Sequence, residues 1–261
     1  MLKSVNFFVT LQLVMKKTSD LNIVILGSGN VATHLSEALL NAGYSVLQLW
    51  KRGEILRDAD LYFIAVSDDS IEEVAKFIPE NKLFAHTSGS IDLKKGGVFY
   101  PLQTFSKHIE VDWKDIPVLI EYNDDDAVVG ARHASTPLSN HASTLQEIAK
   151  KISNNVQTTN AENRRQLHLS AVFACNFTNH LWAISEDLLN EKNLSFDLLK
   201  PLIYQTVQKI SNHHPKNVQT GPAVRNDLKT LEKHRKMLGN DDKAEIYDIL
   251  SKSIQNTHDS H

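Results

Sequence analysis

The stretch VILGSGNVATHL, residues 24–35, joins an apolar run to a glycine pair and then to a segment with helical spacing. The run LNIVIL, residues 21–26, has the length and continuous apolar character of a central parallel strand that is covered on both faces. Residues 31–42 carry apolar side chains at helical spacing and stop at Gly43, a typical C-terminal cap. The stretch therefore predicts a strand, a tight turn and a helix.

The segments that follow predict an α/β fold with a parallel sheet, followed by an all-helical domain. Further strands are expected at 44–50, 61–66, 82–88 and 116–122, with a helix that begins in SDDSIEEVAKFI and ends at Pro79. Helical patterns dominate after residue 144, and we expect helices at 145–152, 161 to about 192, 196–211, 222–238 and 243–254. The expected domains are an N-terminal extension (1–20), a sheet domain (21–123) and a helical domain (124–261).

Composition narrows the class of protein. The chain has 261 residues, of which 41% are apolar and 23% charged, and this balance is typical of a globular protein with a real core. A formal net charge of −3 gives no whole-molecule electrostatic case for binding nucleic acid or a membrane surface. The single cysteine excludes an intrachain disulfide, and no zinc-type spacing occurs, so we expect a cytoplasmic protein without a metal. The apolar part of residues 1–20 is too short to span a bilayer.

The glycine turn has the form of a phosphate-binding turn. Gly27 allows a tight turn, Gly29 allows close approach of the backbone to a pyrophosphate, and Ala32 is small enough for strand–helix contact. The amides around Ser28, Asn30 and Val31 would then face the negative charge. The alternative is a glycine turn that only joins a strand to a helix.

The residues after the second predicted strand favour NADP over NAD. An NAD site has an acid about twenty residues after the glycines, to bind the ribose hydroxyls. This chain has Lys51 and Arg52 there, and cations suit the additional phosphate of NADP. NAD stays possible, and two solvated surface charges are the alternative interpretation.

Two more loops are expected at the same edge of the sheet, because they follow parallel strands. VSDDS (66–70) adds Val66 and Ser67 to the candidate cofactor residues, although helix capping is the favoured interpretation of SDDS. HTSGS (86–90) offers Ser88 as a candidate substrate-binding residue.

Three strings carry a resemblance to a known family: GGVFYPLQTFSK (96–107), LHLSAVFACNFTNHL (167–181) and QTGPAVRND (219–227). The chain resembles Rossmann-like proteins whose helical C-terminal half is a domain of unknown function, which are related to deazaflavin-dependent NADP oxidoreductases, pyrroline-carboxylate reductases and phosphogluconate dehydrogenase-like proteins. The resemblance implies a Rossmann-type sheet, a dinucleotide site at Gly27, Gly29 and Ala32, and a homodimer formed through the helical half. It implies no substrate.

One departure from that pattern concerns the adenine side of the site. Only seven residues, GEILRDA, separate Arg52 from Asp60, where such folds usually carry another helix and strand. The missing unit would normally wall the adenine pocket, which leaves open whether adenine is bound there.

The long helical pattern from Ala161 carries a polar stripe. At ~100° per residue, Arg165, His168, Asn176, Asn179 and His180 fall on one third of a continuous helix. The resemblance suggests His168, Asn176 and His180 as catalytic candidates that orient a substrate or pass a proton. Hydrogen bonds between helices are the alternative explanation.

QTGPAVRND predicts an anion site. Thr220 can cap a helix that starts with Pro222, and Arg225 would then project from its first turn. Asp227 pairing with Arg225 or a neighbouring helix is the alternative.

These features favour an NADP-dependent oxidoreductase that acts on a small, anionic metabolite, with Arg225, Ser88 and Thr220 as substrate-binding residues. A non-catalytic nucleotide-binding or regulatory module is the main alternative, and a structural dimeric scaffold is a third.

Overall fold

The computed structural model describes residues 20–122 and 139–258. Most of the expected N-terminal extension, and the polar segment 123–138 with the expected domain boundary at 123/124, lie outside the described residues. The chain divides into two compact units between Cys175 and Asn176. Across the described ranges, no helix has both the length and the apolar character needed to cross a membrane.

The first unit contains one twisted sheet in the strand order β2-β1-β3-β4-β5-β6-β7. Strands β1 to β5 run parallel, β6 runs antiparallel to β5, and β7 runs parallel to β6. This is a Rossmann-type sheet, as expected from the sequence. The strand bounds are β1 Asn22–Leu26, β2 Ser45–Trp50, β3 Leu61–Ile64, β4 Leu83–His86, β5 Gly97–Pro101, β6 Val118–Tyr122 and β7 Val156–Thr158.

Within residues 20–122 and 139–175, the α-helices of this unit are α1 Asn30–Asn41, α2 Ile71–Ala75, α3 Ser139–Ile152 and α4 Ala161–Ala171. Helices α1 and α3 pack against one face of the sheet and α2 against the other, so the central strand β3 is buried along its whole length. One core contains Leu35 and Leu39 of α1 together with Leu145 and Ile148 of α3. The opposite core contains Trp50, Tyr62 and Val74. Helix α3 therefore packs on the sheet and belongs to its unit.

Strands β5 and β7 were not expected from the sequence. β5 lies in the GGVFYP string, whose glycines and proline are untypical of a strand. All five residues of this strand are buried. Its antiparallel partner β6 supplies the hydrogen bonds that a short run of this kind needs.

The link from β2 to β3 contains no helix and no strand, which confirms the short connection read from GEILRDA. Hydrogen bonds from two aromatic side chains hold this link in place. Trp50 Nε1 donates to the carbonyl of Glu54 at 2.9 Å, and the Tyr62 hydroxyl donates to the carbonyl of Arg57 at 3.0 Å. β2 is consequently an edge strand of the sheet.

The second unit is helical, as expected. Its helices are α5 Thr178–Asn190, α6 Lys200–Asn212, α7 Leu228–Leu238 and α8 Asp242–His258. The fold class predicted from the sequence, an α/β sheet followed by a helical region, is confirmed.

Candidate functional site

Gly27 brings the turn after β1 against the end of β3. Its φ is +136°, and a Cβ added there would lie 2.1 Å from the carbonyl oxygen of Ala65. Its amide donates to the carbonyl of Trp50 at 2.9 Å. Only glycine fits this position, because both the backbone angle and the contact with Ala65 exclude a side chain.

Gly29 has a different environment. It is the N-cap residue of α1, its φ is −79°, and no side chain accepts a hydrogen bond from the first turn of the helix within the described part of the chain. A Cβ added at Gly29 would meet nothing within 4 Å. The first amides of α1 thus border an open space, the arrangement that binds phosphate at helix N-termini.

That open space is a cavity of about 610 Å³ within the first unit. It brings together nine of the predicted cofactor residues, from three separate segments of the chain. These are Gly27, Ser28, Gly29, Asn30, Val31, Lys51, Arg52, Val66 and Ser67. The tenth, Ala32, is fully buried, consistent with the close strand–helix packing expected of it.

One wall of the cavity comes from a loop that sequence reasoning missed. Gln103 and Phe105 line it. The Asn30 side chain donates to the carbonyl of Phe105 at 2.9 Å, and His34 Nε2 lies 3.0 Å from the carbonyl of Ser106. The Phe105 ring stacks on His34. Asn30 therefore uses its side chain to hold this wall, which leaves its backbone amide for the cavity.

The basic pair lies at the β2 side of the cavity. Arg52 donates to Glu73 at 2.9 Å, and both side chains are more than half exposed. An exposed ion pair of this kind contributes little stability, so a phosphate can compete for the guanidinium.

The 66–70 loop borders the cavity and contains a turn, but the expected helix capping is wrong, because neither Ser67 nor Ser70 caps the helix that follows it through its side chain. Val66 and Ser67 line the cavity, while Asp68–Ser70 forms a 3-10 turn. Ser67 and Ser70 share a hydrogen bond of 3.1 Å between their hydroxyls.

The HTSGS loop is built around buried hydrogen bonds. Burial lowers the pKa of the His86 imidazole to about 4, and the Arg164 guanidinium adds to this shift. Its Nδ1 accepts the amide hydrogen of Ser88 at 3.2 Å, which requires the unprotonated atom. The Ser88 hydroxyl accepts from the amides of Ser90 and Ile91 at 3.1 and 3.2 Å. The Ser88 hydroxyl thus caps the turn, and its assignment to substrate remains a prediction.

Arg164 anchors this loop and was missed in the sequence. It is fully buried, and it donates to Glu121 at 2.9 Å, to Asp92 at 2.7 Å and to the Ser88 carbonyl at 3.2 Å. Its partners lie 43 to 76 residues away along the chain. No local pattern could have found them.

His168 lies beside the same loop. Its Nδ1 is 2.9 Å from the hydroxyl of Tyr100, at the end of β5. A Cβ at Gly89 would lie 2.5 Å from that nitrogen. His168 is half-buried and engaged with a residue that the sequence did not single out.

The expected single face of one long helix is wrong. Helix α4 ends at Ala171, residues Val172–Phe177 are π-helical, and α5 begins at Thr178. A π-helix has hydrogen bonds between residues i and i+5 and therefore more residues per turn than an α-helix. The α-helical spacing consequently cannot be used to place Asn176 and His180 on the same face as His168. Both of these residues are exposed.

The expected helix start at Pro222 is also wrong. Residues 221–226 form turns, and α7 begins at Leu228. Asp227 caps it, accepting from the Thr230 amide at 3.1 Å and from the Thr230 hydroxyl at 2.7 Å. Thr220 therefore caps no helix, and exposed Arg225 does not project from a helical turn. The Asp227 carboxylate caps α7 because it accepts a hydrogen bond directly from a backbone amide in the first turn of that helix.

Comparisons with known proteins agree with this arrangement. The model of a family described as "Domain of unknown function (DUF2520)" matches residues 136–254. None of the curated proteins matches the chain. A solved structure from Thermotoga maritima has 18% identity and a TM-score of 0.63, and covers 91% of this chain and 98% of its own. An imine reductase from Streptomyces aurantiacus has 12% identity and a TM-score of 0.56, and the match covers 92% and 95%. At these identities both show the shared fold alone.

A third solved structure is similar enough to establish a family. It is a Bacteroides fragilis protein named "putative NADP oxidoreductase", with 37% identity and a TM-score of 0.81. The match covers 92% of this chain and 100% of that chain. The chain therefore belongs to the family of this Bacteroides fragilis protein.

Proposed function

We propose that this protein is an NADP-dependent oxidoreductase that acts on a small, anionic metabolite. The observation that carries the proposal is the first turn of α1, which no described side chain caps and which borders a cavity of about 610 Å³. The family relationship to a protein named as an NADP oxidoreductase supports it. So does the resemblance to deazaflavin-dependent oxidoreductases, pyrroline-carboxylate reductases and phosphogluconate dehydrogenase-like proteins.

The residues present fit a dinucleotide. The open space at Gly29 accepts a diphosphate against the amides of Asn30 and Val31. Lys51 and Arg52 line the cavity and would bind the additional phosphate that distinguishes NADP from NAD. A reduced nicotinamide would supply a hydride to a carbonyl or imine carbon. The chain's own residues would orient that carbon, exclude water and supply the proton.

The substrate contacts of the proposal are Ser88, Thr220 and Arg225. Arg225 would hold an anionic group by its own charge, since it does not start a helix. His168, Asn176 and His180 remain the candidates for orienting the reacting group or passing a proton.

Ligand binding and turnover test the proposal separately. Calorimetry with NADPH, NADH and 2′,5′-ADP measures binding. Oxidation of NADPH, followed by its absorbance, is then screened with 2-oxo acids, aldehydes and carboxylated cyclic imines, beginning with glyoxylate and 1-pyrroline-2-carboxylate. We expect micromolar binding of NADPH and turnover of at least one class. Absence of NADPH binding would overturn the proposal.

The basic pair gives a matched test of cofactor preference. Replacing both Lys51 and Arg52 with alanine should weaken NADPH binding about 10- to 100-fold and change NADH binding little, since one charge-assisted contact contributes about 1.5–3 kcal/mol. Lys76→Ala is the control, because Lys76 lies outside the cavity lining. Equal losses for both cofactors would contradict the assignment.

A non-catalytic nucleotide-binding or regulatory module is the second candidate function. The observation that favours it is the absence of a helix–strand unit between β2 and β3. It predicts nucleotide binding without turnover of any carbonyl or imine in the panel.

The proposal includes a homodimer in a reducing, cytoplasmic setting. The only cysteine, Cys175, is an exposed free thiol, which suits that compartment. The helical unit leaves many large apolar side chains exposed, and a second copy would cover them.

A further inference from the structure

Tyr100 and His168 form a side-chain pair that no part of the cofactor site explains. The Tyr100 hydroxyl lies 2.9 Å from His168 Nδ1, and their rings meet edge to face with centroids 5.8 Å apart. Tyr100 is 8% exposed, whereas His168 is half-buried. The pair therefore joins a shielded hydroxyl to an imidazole that solvent can reach.

Gly89 brings the HTSGS loop into contact with both rings. A Cβ at this position would lie 2.5 Å from His168 Nδ1 and 2.8 Å from Tyr100 Cζ. Any other residue would push the loop away from the pair. The absence of a side chain at Gly89 thus sets the pair directly beside the carboxyl end of β4.

The strand register places Tyr100 at the edge of the sheet that carries the cavity. In the parallel β4–β5 pair, His86 lies opposite Val98, so Tyr100 stands level with Ser88, just beyond the end of β4. The strand order puts β4 and β5 on the side of β1 away from β2. A dinucleotide held with its adenosine over β2 and its diphosphate at α1 would extend its nicotinamide toward β3 and β4.

We propose that Tyr100 donates the proton to the carbonyl oxygen or imine nitrogen of the substrate during reduction, and that His168 replaces that proton. This assignment rests on the proposed oxidoreductase function. Tyr100 would touch the substrate and be catalytic, while His168 would act through Tyr100.

The step balances in atoms and electrons. As a hydride arrives at the carbon, the π electron pair of the C=O or C=N bond moves to the heteroatom and takes the proton of the Tyr100 hydroxyl. The resulting phenolate takes the Nδ1 proton of His168 while His168 Nε2 takes a proton from solvent, so that the imidazole stays neutral. The sum is one carbonyl or imine, one reduced nicotinamide and one solvent proton consumed, with one alcohol or amine and one oxidised nicotinamide formed.

The surroundings keep the Tyr100 hydroxyl protonated until it is needed. Burial raises the pKa of Tyr100 to about 12; the Arg164 guanidinium lowers this pKa and the Asp68 carboxylate raises it. A neutral phenol at pH 7 can donate to an oxygen that is becoming an alkoxide, which is a much stronger base. With Nδ1–H of His168 donating to the phenolic oxygen, the phenolic hydrogen is directed to the substrate.

A measurement without substrate tests the position of Tyr100. The protein is labelled with 3-fluorotyrosine, whose phenol is more acidic than that of tyrosine, and fluorine NMR follows the titration of each of the 6 tyrosines. The Tyr100 signal is the one missing from Tyr100→Phe. NADP⁺ carries a positive nicotinamide ring, so it should lower the titration midpoint of Tyr100 by about one pH unit. The nucleotide 2′,5′-ADP, which lacks that ring, should leave the midpoint unchanged.

The outcomes separate the two proposals. If NADP⁺ binds and the Tyr100 midpoint does not move, the nicotinamide lies elsewhere, and this inference is overturned while the oxidoreductase proposal stands. If NADP⁺ does not bind, both fall. A shift with 2′,5′-ADP as large as the shift with NADP⁺ would also overturn the inference, because it would mark a general effect of binding.

Kinetics with glyoxylate or 1-pyrroline-2-carboxylate test the role. Tyr100→Phe keeps the ring against Gly89 and should lower kcat about 10²- to 10⁴-fold, with little change in NADPH binding. His168→Asn, which keeps a polar group near Nδ1, should retain more activity than His168→Leu. The control is Tyr247→Phe, since Tyr247 and His234 form a matched pair at 2.9 Å outside the sheet unit. Wild-type kcat in Tyr100→Phe, or equal loss in both His168 variants, would contradict the assignment.

Discussion

Gly27 and Gly29 belong to the same turn, but their surroundings differ in a way that the sequence motif does not show. Gly27 is required by the fold, because a side chain there would overlap the carbonyl of Ala65. The fold does not require a glycine at position 29, because its surroundings are open and its φ is one that any residue adopts. The same motif therefore contains one position that the fold fixes and one that only the proposed phosphate site would fix.

This difference gives the first prediction. Gly29→Ala should change the free energy of unfolding by less than about 1 kcal/mol and weaken NADPH binding about tenfold or more, since its Cβ enters the space for the diphosphate. Gly27→Ala should instead destabilise the fold by more than about 2 kcal/mol, from strain and a backbone overlap. Chemical denaturation and calorimetry measure the two effects. A folded Gly29→Ala that binds NADPH like the wild type would contradict the phosphate assignment.

His86 supplies a prediction about pH. Its pKa is near 6.5 in the unfolded chain and about 4 in the folded protein. Between these values the unfolded state binds more protons, so stability falls as pH decreases through this window. The loss amounts to about 3 kcal/mol by the time pH 4 is reached. Denaturation curves of the wild type and His86→Asn should show a smaller loss in the variant.

The control for this measurement is His108→Asn, an exposed histidine in a loop. It should lose stability between pH 6.5 and 4 as the wild type does. An unchanged acid loss in His86→Asn would show that His86 does not cause the dependence.

At the scale of elements, a buried arginine joins helix α4 to the sheet. Arg164 reaches β6 through Glu121 and the HTSGS loop through Asp92 and the Ser88 carbonyl. These contacts position His168, one turn further along the same helix, against Tyr100. The ion pairs of Arg164 thus fix the helix that carries His168 of the candidate catalytic pair.

Removing this arginine should destabilise the sheet unit. Arg164→Met leaves the Glu121 carboxylate buried without its cation, at an expected cost of about 3–5 kcal/mol. The adjacent Arg165 is the matched control, because it also pairs with Asp92 but is 44% exposed. Arg165→Met should cost less than about 1 kcal/mol. Equal costs in denaturation experiments would show that burial does not distinguish the two.

A double variant refines this test. Arg164→Met with Glu121→Leu should be less destabilised than the sum of the single variants, since neither charge is then left unpaired. Strict additivity would contradict a direct interaction.

At the scale of the whole molecule, the second unit has too little core of its own. Among its described residues only Ala223 and Ala244 are buried. Its large apolar side chains include Leu202 and Tyr204, which are 60% and 71% exposed. A cavity of about 720 Å³ between α5 and α6 is lined by Trp182, Ile203 and Val207. An apolar surface of this extent is typical of an interface.

Light scattering after gel filtration tests the homodimer. We expect a mass of twice 29.4 kDa for the wild type. Leu202→Glu with Tyr204→Glu should give the mass of one chain, because two carboxylates would be buried in the interface. Ile55→Glu, at a position that is 91% exposed in the sheet unit, is the control and should stay dimeric. A wild-type protein with the mass of one chain would contradict the proposal.

Local patterns predicted much of this protein. The apolar run before Gly27, the helical spacing after it and the positions of Lys51 and Arg52 placed nine residues that the structure brings to one cavity. This succeeded because a strand–turn–helix motif is a short-range structure, and parallel strands must end at one edge of the sheet. The short β2–β3 link was equally readable, since seven residues cannot hold a helix and a strand.

The tertiary structure decided what depends on distant partners. Asp227, rather than Thr220, caps α7, and a π-helical turn interrupts the expected continuous helix. Tyr100 became a candidate only through a contact with His168, 68 residues away. A sequence specifies backbone preference and periodicity over a few residues. Which buried charge meets which, and which hydroxyl meets which imidazole, is set by packing of the sheet and its helices, because only there do residues far apart in the chain come within hydrogen-bonding distance.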